Sequence, residues 1–171
     1  MKRIAREAGV AQGLIHYYFS SKDELLLELL MQVSREYAEE NERLAASSPP
    51  GEDLAAAALE NAKHSASRNP EMLRLRYELF ALGLRKPDFL PGVAAMLQSG
   101  RENIVKTLAR ITGEHEVAKP SPEREALAAV LLSCFSGLAL QKMADPEGFD
   151  LDAAYAILWR LAQAEGVVQA P

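Results

Sequence analysis

Apolar side chains recur three and four positions apart along most of this chain, and no stretch alternates apolar and polar residues between turns. The first spacing puts side chains on one face of an α-helix, whereas alternation would indicate a half-buried strand. We therefore predict an all-α protein of about eight helices. The segments with the clearest ends are Ser21 to Ala46, Glu52 to Arg68, Val93 to Ile111 and Ser121 to Ala144.

Capping residues, proline and glycine mark the ends of these helices. Asn69-Pro70-Glu71 provides an N-cap, a proline for the first helical position and an acid in the first turn. Ser21 and Glu24 have the spacing of a capping box, in which each side chain bonds the backbone of the other. We further expect a loop at Ser47–Gly51, a break at Pro91-Gly92, a cap at Asp150 and a last helix ending near Gly166.

The first 25 residues have the pattern of two short helices that meet at a tight turn. Gly9 stands where a helix ends abruptly in the left-handed conformation. This pattern is typical of a helix-turn-helix, whose second helix enters the major groove of DNA. The inner face of the pair would be small and apolar, comprising Ile4, Ala5, Ala8, Ile15 and Phe19.

Five short motifs in this region carry a more specific signal: Ile4-Ala5, Glu7-Ala8-Gly9-Val10, Gly13, Tyr18-Phe19 and Ser21-Lys22-Asp23-Glu24-Leu25. Together, at this spacing, they resemble the DNA-binding signature of TetR-family transcriptional regulators. An ordinary helical hairpin with an aromatic core would explain the turn but not the whole set. The resemblance implies a helix-turn-helix module with its connecting helix in residues 1–46, and a ligand-binding and dimerisation body in residues 47–171.

The sequence departs from the family pattern at two side chains. Ala11 replaces the usual Ser or Thr, so the second helix lacks a side-chain N-cap, a loss that costs about 1 kcal/mol. His16 stands where the family usually has a tyrosine that touches a backbone phosphate. Imidazole also donates there, more strongly when protonated, so this contact is expected to depend on pH.

A third departure concerns the start of the chain. Family members have a further helix before this stretch, whereas Met1 here directly precedes the first helix of the motif. Either Met1 is an internal methionine of a longer natural chain, which we favour, or the form is shortened. Without a covering helix we expect Ile4, Ala8 and Ile15 to face water in part.

Charge is distributed unevenly along the sequence. In residues 1–22 the four cations Lys2, Arg3, Arg6 and Lys22 outweigh Glu7, a net charge of +3, and the chain total of −5 leaves −8 for the remainder. A basic tip on an acidic body presents one end to phosphates. No apolar run approaches the ~20 residues that a bilayer requires, so we expect a soluble cytoplasmic protein without a membrane partner.

Catalytic and metal-binding motifs are absent from the sequence. The three histidines are scattered, and no nucleophile elbow, phosphate loop or dinucleotide fingerprint occurs. We therefore predict no enzyme, no catalytic residues, no metal and no cofactor. Cys134 lies in an apolar run, which predicts a buried, inert thiol.

The resemblance implies an apolar effector pocket between the body helices. Four side chains offer apolar lining, namely Tyr77, Phe80, Met96 and Phe135, and three could orient a polar group, namely His64, Arg76 and Asn103. Glu78 is a further candidate, unless it pairs with Arg74 or Arg85. A methionine or aromatic stripe at helical spacing more often belongs to an ordinary core, which is the alternative for each of these side chains.

The run from Ser133 to Asp150 resembles the dimerisation region of the family. Two helices per subunit would form a four-helix bundle about a two-fold axis. Packing that merely closes the monomer core is the alternative. The predicted interface consists of Leu131, Gly137, Leu138, Ile157 and Leu161.

The resulting prediction is a ligand-responsive regulator, most often a repressor in this family, that binds a palindromic double-stranded operator as a homodimer with an unknown small molecule as effector. The residues expected at DNA are Lys2, Arg3, Ala11, Gln12, Gly13, His16, Tyr17 and Lys22. The alternative is a dimeric small-molecule-binding or interaction protein that lost DNA binding with the missing helix.

Overall fold

The structure is a computed structural model that describes residues 1–47, 51–113, 120–164 and 166. These residues form eight α-helices and one 3₁₀ turn, Pro87–Phe89, and contain no strand, which confirms the all-α prediction. Positions 48–50 of the predicted Ser47–Gly51 loop lie outside the described residues. The helices are α1 (Lys2–Glu7), α2 (Gln12–Tyr18), α3 (Lys22–Ser47), α4 (Glu52–Arg68), α5 (Pro70–Arg85), α6 (Leu90–Ile111), α7 (Pro122–Ala144) and α8 (Leu151–Ala164).

Three helices begin at the caps that the sequence predicts. The side chain of Asn69 accepts a hydrogen bond from the Met72 amide at 3.2 Å. Ser121 accepts from the amide three residues later at 3.2 Å. Asp150 accepts from Ala153 at 3.1 Å. Each cap satisfies a backbone donor that has no partner within its helix.

The capping box before α3 differs from the prediction in one bond. The Ser21 hydroxyl accepts from the Glu24 amide at 3.0 Å, as predicted. The Glu24 carboxylate reaches one residue further back than predicted, where it accepts from the Ser20 hydroxyl at 2.5 Å and the Ser20 amide at 2.7 Å. These two bonds, the hydroxyl first, lower the pKa of Glu24.

Helix α6 begins at Leu90, three residues before the predicted start at Val93. The prediction was wrong because Pro91 does not break this helix; it occupies the first turn, where its missing N–H would have had no partner. Gly92 then lies against α3, since a methyl group built there would come within 2.5 Å of Leu27 Cδ2. The early start therefore brings the end of α6 directly onto the connecting helix.

The core lies between the body helices, with α6 packed on both α3 and α7. Leu79 of α5 is 2% exposed and contacts the buried Met96 of α6. Half-buried apolar residues surround this pair, namely Leu26, Leu75, Phe80 and Leu82. Burying a leucine side chain contributes about 1.5–3 kcal/mol, so this cluster stabilises the attachment of α3 to the body.

Helix α7 is long and strongly apolar and yet is poorly covered. By length and composition alone Pro122–Ala144 could cross a bilayer, so our expectation that no segment reaches that limit was too strict. Among its residues only Ala128 is fully buried. Cys134 on this helix is half-buried, where burial was predicted, because the helix presents much of its circumference outside the core.

Candidate DNA-binding face and effector cavity

The first two helices form the predicted turn through Gly9. Its φ of 67° lies in the left-handed region, which a residue with a side chain adopts only at a cost. The amides of Gly9 and Val10 donate to Arg6 and Ala5 carbonyls at 3.2 Å and 3.0 Å. These bonds end α1 sharply and set the direction in which α2 leaves.

The inner face of this pair is smaller than predicted. Ala5 and Ile15 are buried, and Phe19 is half-buried. Ile4 is half-buried and Ala8 is exposed, so both face water in part as predicted, whereas Ile15 does not. Ile15 is covered because it is the residue of α2 that turns toward α1. The pair therefore depends on very few apolar contacts.

The opposite face of α2 is open to solvent. Every residue predicted to lie at DNA is exposed, namely Lys2, Arg3, Ala11, Gln12, Gly13, His16, Tyr17 and Lys22. Gln12 Nε2 lies 3.3 Å from His16 Nε2, one helical turn away. Tyr17 is 80% exposed and meets Tyr18 edge to face with 5.1 Å between ring centroids. Amide, imidazole and phenol groups thus project together from one short helix.

The N-terminus of α2 has no side-chain cap, as Ala11 predicts. The Leu14 amide donates instead to the Ala11 carbonyl at 3.0 Å. Within residues 1–22, all of which are described, the one ion pair joins Arg6 to Glu7 at 3.3 Å, and both side chains are exposed. The remaining cations of this segment have no such pair to compete with a phosphate.

Helices α3 to α8 surround a partly open cavity of about 240 Å³. Most of its wall is apolar and includes Phe80, Met96, Phe135 and Trp159. Polar side chains interrupt the wall at a few positions, namely Ser34, Asn41, Asn61, Arg76, Ser99, Asn103, Thr107 and Ser136. An apolar cavity with a few polar groups is the usual form of a small-molecule site.

Five of the seven predicted pocket residues line this cavity: Arg76, Phe80, Met96, Asn103 and Phe135. The structure does not bring the other two, His64 and Tyr77, to its wall. The Tyr77 hydroxyl donates to the Ser136 carbonyl at 2.5 Å, which fixes α5 against α7. Glu78 is exposed, and no described ion pair joins it to Arg74 or Arg85.

His64 lies instead in a surface cleft between α4 and the start of α8. Its Nδ1 is 3.1 Å from Glu60 Oε1. Beside it, Lys63 pairs with Asp152 at 2.9 Å and with Glu60 at 2.8 Å. The bond to Asp152, followed by that to Glu60, raises the pKa of Lys63, and the same bond lowers the pKa of Asp152. The Lys63–Asp152 pair joins α4 to α8, and the two pairs with Glu60 lie within α4.

Sequence reasoning missed Asn41 and Asn61, which face each other across the cavity wall. Asn61 Nδ2 donates to Asn41 Oδ1 at 3.1 Å and joins α4 to α3. A signal was present, because Asn41 lies eight residues after Val33, two helical turns along the same stripe. A polar residue on an apolar stripe predicts either a buried hydrogen bond or a ligand contact.

Arg76 differs from the other polar groups of the wall. Its Nε is fully buried and has no hydrogen-bond partner. Its guanidinium carbon lies 5.5 Å from the centroid of the Tyr77 ring, a distance that allows a cation–π interaction. Arg76 is also the one charged residue among the described residues of the wall.

Behind the cavity wall, Phe135 stacks on Tyr155 of α8 with ring centroids 6.1 Å apart and an interplanar angle of 7°. Tyr155 is buried, and burial raises the pKa of its hydroxyl to about 12. The charged phenolate is disfavoured in this environment. The contact fixes α7 and α8 to each other where the cavity ends.

Two family profiles match this chain. "Bacterial regulatory proteins, tetR family" matches residues 1–29, and "BetI-type transcriptional repressor, C-terminal" matches residues 49–166. The second match alone covers more than half of the chain. The protein belongs to the TetR family.

Individual relatives agree with this assignment. The chain is 27% identical over 146 residues to the HTH-type transcriptional regulator PksA of Bacillus subtilis (strain 168), which covers 85% of this chain and 69% of that protein. The fold of this chain is similar to the crystal structure of a candidate transcriptional regulator from Pseudomonas aeruginosa PAO1, with a TM-score of 0.77 at 19% identity. The similarity covers 96% of this chain and 78% of the other. The Bacillus subtilis relative is a transcriptional regulator, and the crystal structure shows the similarity of the fold.

In this TetR-family chain the surface of α7 carries a stripe at alternating spacings of four and three residues, exposed at every position except the half-buried Gly137: Ala126, Val130, Ser133, Gly137, Leu140 and Ala144. On α8, Ile157 and Leu161 are exposed one turn apart. The four large apolar side chains of these two surfaces are between 43% and 58% exposed. We call the α7 stripe together with Ile157 and Leu161 the α7–α8 face.

The α7–α8 face includes three of the five predicted interface residues, namely Gly137, Ile157 and Leu161. The other two, Leu131 and Leu138, lie on a different side of α7. Leu131 lines the cavity, and Leu138 is half-buried. The exposed apolar residues are instead Val130, next to Leu131, and Leu140, two residues after Leu138. Apolarity alone could not give this rotation, because α7 is apolar on most of its circumference.

Proposed function

We propose that this chain is a ligand-responsive transcriptional repressor that binds a palindromic DNA operator as a homodimer in the cytoplasm. The observation that carries the proposal is the division of α2, which buries Ile15 against α1 and leaves Gln12, His16 and Tyr17 exposed on the other side. In a TetR-family protein this is the helix that enters the major groove. Repression agrees with the description of the matching C-terminal profile.

Within the DNA-binding module, residues 1–46, we assign two kinds of contact. Gln12, Gly13, His16 and Tyr17 meet base edges or the adjacent backbone, and Ala11 allows close approach at the helix start. Lys2, Arg3 and Lys22 meet phosphates, which position the module without reading sequence. A bidentate contact from Gln12 to adenine would discriminate by about 1–3 kcal/mol.

The α7–α8 face supports the homodimer. A seam at alternating spacings of three and four residues is the spacing that packs helices against each other. Gly137 leaves open space at its centre, since a methyl group built there meets no atom within 4 Å. Pairing these faces about a two-fold axis would build a four-helix bundle and set the two α2 helices the ~34–36 Å apart that successive major grooves require.

The body, residues 47–171, would couple an effector to DNA through α3 and α6. Helix α3 begins a few residues after α2 and supplies Val33, Ser34 and Asn41 to the cavity wall. Helix α6 supplies a large part of the same wall, and its Gly92 lies against Leu27 of α3. A ligand that moves either helix therefore changes the position of α2.

Such coupling is typically ~1–3 kcal/mol and acts in both directions, so operator DNA must weaken effector binding by the same factor. The reciprocity gives a test that needs no knowledge of the regulated genes.

The decisive experiment is a selection from random-sequence duplex DNA with the purified chain, followed by affinity measurements on the enriched site. We expect an inverted repeat with half-sites about 10–10.5 base pairs apart or a multiple of that spacing. Gln12→Ala should weaken the selected site about 10-fold or more without weakening random DNA. Lys2→Ala should weaken both equally and, because the dimer carries two copies of Lys2, lower the salt slope by about 1.8.

Glu28→Ala is the matched control, since Glu28 pairs with Arg35 on an exposed face of α3 and is not among the residues predicted to lie at DNA. It should leave both affinities unchanged. A dimer that enriches no sequence would contradict the proposal and support the alternative, a small-molecule-binding protein that does not bind DNA.

A further inference from the structure

We propose that the effector is a small amphipathic anion, a carboxylate or an equivalent acid on a compact apolar body, whose acidic group pairs with Arg76. This inference rests on the proposed role of the cavity as an effector site and names the chemistry of its ligand. It depends on three features of the cavity: an unsatisfied donor, the sign of its charge, and its size.

The donor is Arg76 Nε. A buried N–H without a partner costs about 1–3 kcal/mol, and more when the group is charged. Native structures rarely retain such an atom without a reason, and a site for an acidic ligand is a specific one. Nε together with one terminal nitrogen of a guanidinium forms a planar fork that matches the two oxygens of a carboxylate. Because Nε has almost no accessible surface, a shift of the Arg76 side chain must open it before it can supply half of a bidentate acid site.

The charge of the wall has one sign among the residues described. No aspartate, glutamate, lysine or histidine lines the cavity beside Arg76. The guanidinium of Arg76 lies over the Tyr77 ring, and this contact supplies no anionic partner to its N–H groups. Phe80, Phe135 and Trp159 could favour a cationic ligand through their ring faces. A second cation in the same cavity would meet the Arg76 charge at low dielectric, which is more costly than the ring contacts are favourable.

Size and lining limit the rest of the molecule. A cavity of about 240 Å³ is smaller than the roughly 300–1,000 Å³ of sites for drug-sized ligands. At ~30 Å³ for each water-sized group it holds roughly eight non-hydrogen atoms, and its open side allows a slightly longer molecule to extend toward solvent. The apolar wall then selects a short aliphatic or single-ring body. Asn103 lines the cavity and has no described side-chain hydrogen bond, so it could bond a second oxygen of the acid.

The test uses three probes of one shape, namely octanoate, octanamide and octylammonium, titrated calorimetrically into the full chain without DNA. We expect octanoate to bind roughly 10- to 100-fold more tightly than octanamide, the range expected of a charge-assisted bond, and octylammonium not to bind. Arg76→Gln should abolish the preference for octanoate while leaving octanamide unchanged. Arg76→Lys keeps the charge without the fork and should retain part of the preference.

Arg74→Gln is the matched control, because Arg74 is exposed on the same helix outside the cavity. It should behave as the unaltered chain. Equal binding of octanoate and octanamide, tighter binding of octylammonium, or a preference that survives Arg76→Gln would overturn the inference. If Arg76→Gln does not fold, the order of the three probes on the unaltered chain decides the question.

The binding test is independent of DNA, so the two proposals can fail separately. Selective octanoate binding by a chain that enriches no operator would support the anionic ligand and contradict the regulator. An operator-binding chain that takes no anion would do the reverse.

Discussion

The two ends of this molecule use their apolar residues differently. In the first twenty residues only Ala5 and Ile15 are buried, while the tyrosines of α2 are open to solvent. In the body, leucines such as Leu54 and Leu79 are almost fully enclosed. The DNA-binding end thus keeps most of its surface for recognition, and the body supplies the stability. A regulator needs both, because a rigid body can only direct a module that it does not cover.

The largest expected effect comes from emptying the body core. Leu79→Ala should lower the free energy of unfolding by about 2–5 kcal/mol, because it removes a buried side chain and leaves a cavity beside Met96. Urea denaturation measures the change. Leu84→Ala is the control, since Leu84 is on the same helix but 82% exposed, and it should change stability by less than about 0.5 kcal/mol.

Charging the α7–α8 face should separate the subunits. Ile157→Glu would place two carboxylates near the two-fold axis, and we expect the dimer dissociation constant to rise about 100-fold. Sedimentation velocity across a concentration series measures it. Leu84→Glu carries the same change outside the face and should leave the dimer intact. A monomeric unaltered chain at high concentration would remove the basis of this prediction.

A truncation to alanine at the DNA-binding end should have a local effect. Ile15→Ala removes the main apolar contact between α2 and α1, so DNA affinity should fall about 10-fold while the urea midpoint of the body stays within error. Hydrogen exchange should speed up in residues 2–18 and not in α5. If the body midpoint fell as far as it does for Leu79→Ala, the two regions would fold as one cooperative unit and our comparison would be wrong.

The ion pair that joins the two regions should matter less. Lys86 Nζ lies 3.1 Å from Asp23 Oδ2, and both side chains are largely exposed. Asp23→Asn should therefore cost at most about 1 kcal/mol in thermal unfolding, and less in high salt. Glu28→Gln, which breaks the pair with Arg35 inside α3, provides the comparison. A larger loss at Asp23 would show that this contact orders the start of α3.

The last effect should be absent near neutral pH and appear only in alkali. The pKa of Tyr155 is raised by burial to about 12, above its ordinary value of 10.0. Between these values the unfolded chain loses the proton and the folded chain keeps it, so stability should decrease as pH rises from about 10 to about 12. Tyr155→Phe should flatten that part of the stability profile measured by urea denaturation. If Tyr155→Phe left the slope of stability against pH unchanged, the loss of stability in alkali would have to come from another group.

The amino-acid sequence determined the local structure of this protein. Helical spacing, the caps at Asn69, Ser121 and Asp150, and the turn at Gly9 are properties of neighbouring residues, and all were predicted. Exposure of the α2 face also follows from local chemistry, since Gln12, His16 and Tyr17 occupy the side of a short helix away from Ile15. A feature that depends on one helix alone can therefore be predicted from the residue pattern of that helix.

Tertiary structure decided what several helices do together. The sequence could not show that His64 lies outside the cavity while Asn41 and Asn61 meet across it, because a cavity wall combines single faces of six helices. The rotation that exposes Val130 and turns Leu131 inward is likewise invisible in a helix that is apolar almost all round. Only the packing of the helices against one another decides which side of α7 faces inward, since packing fixes the rotation of each helix about its own axis.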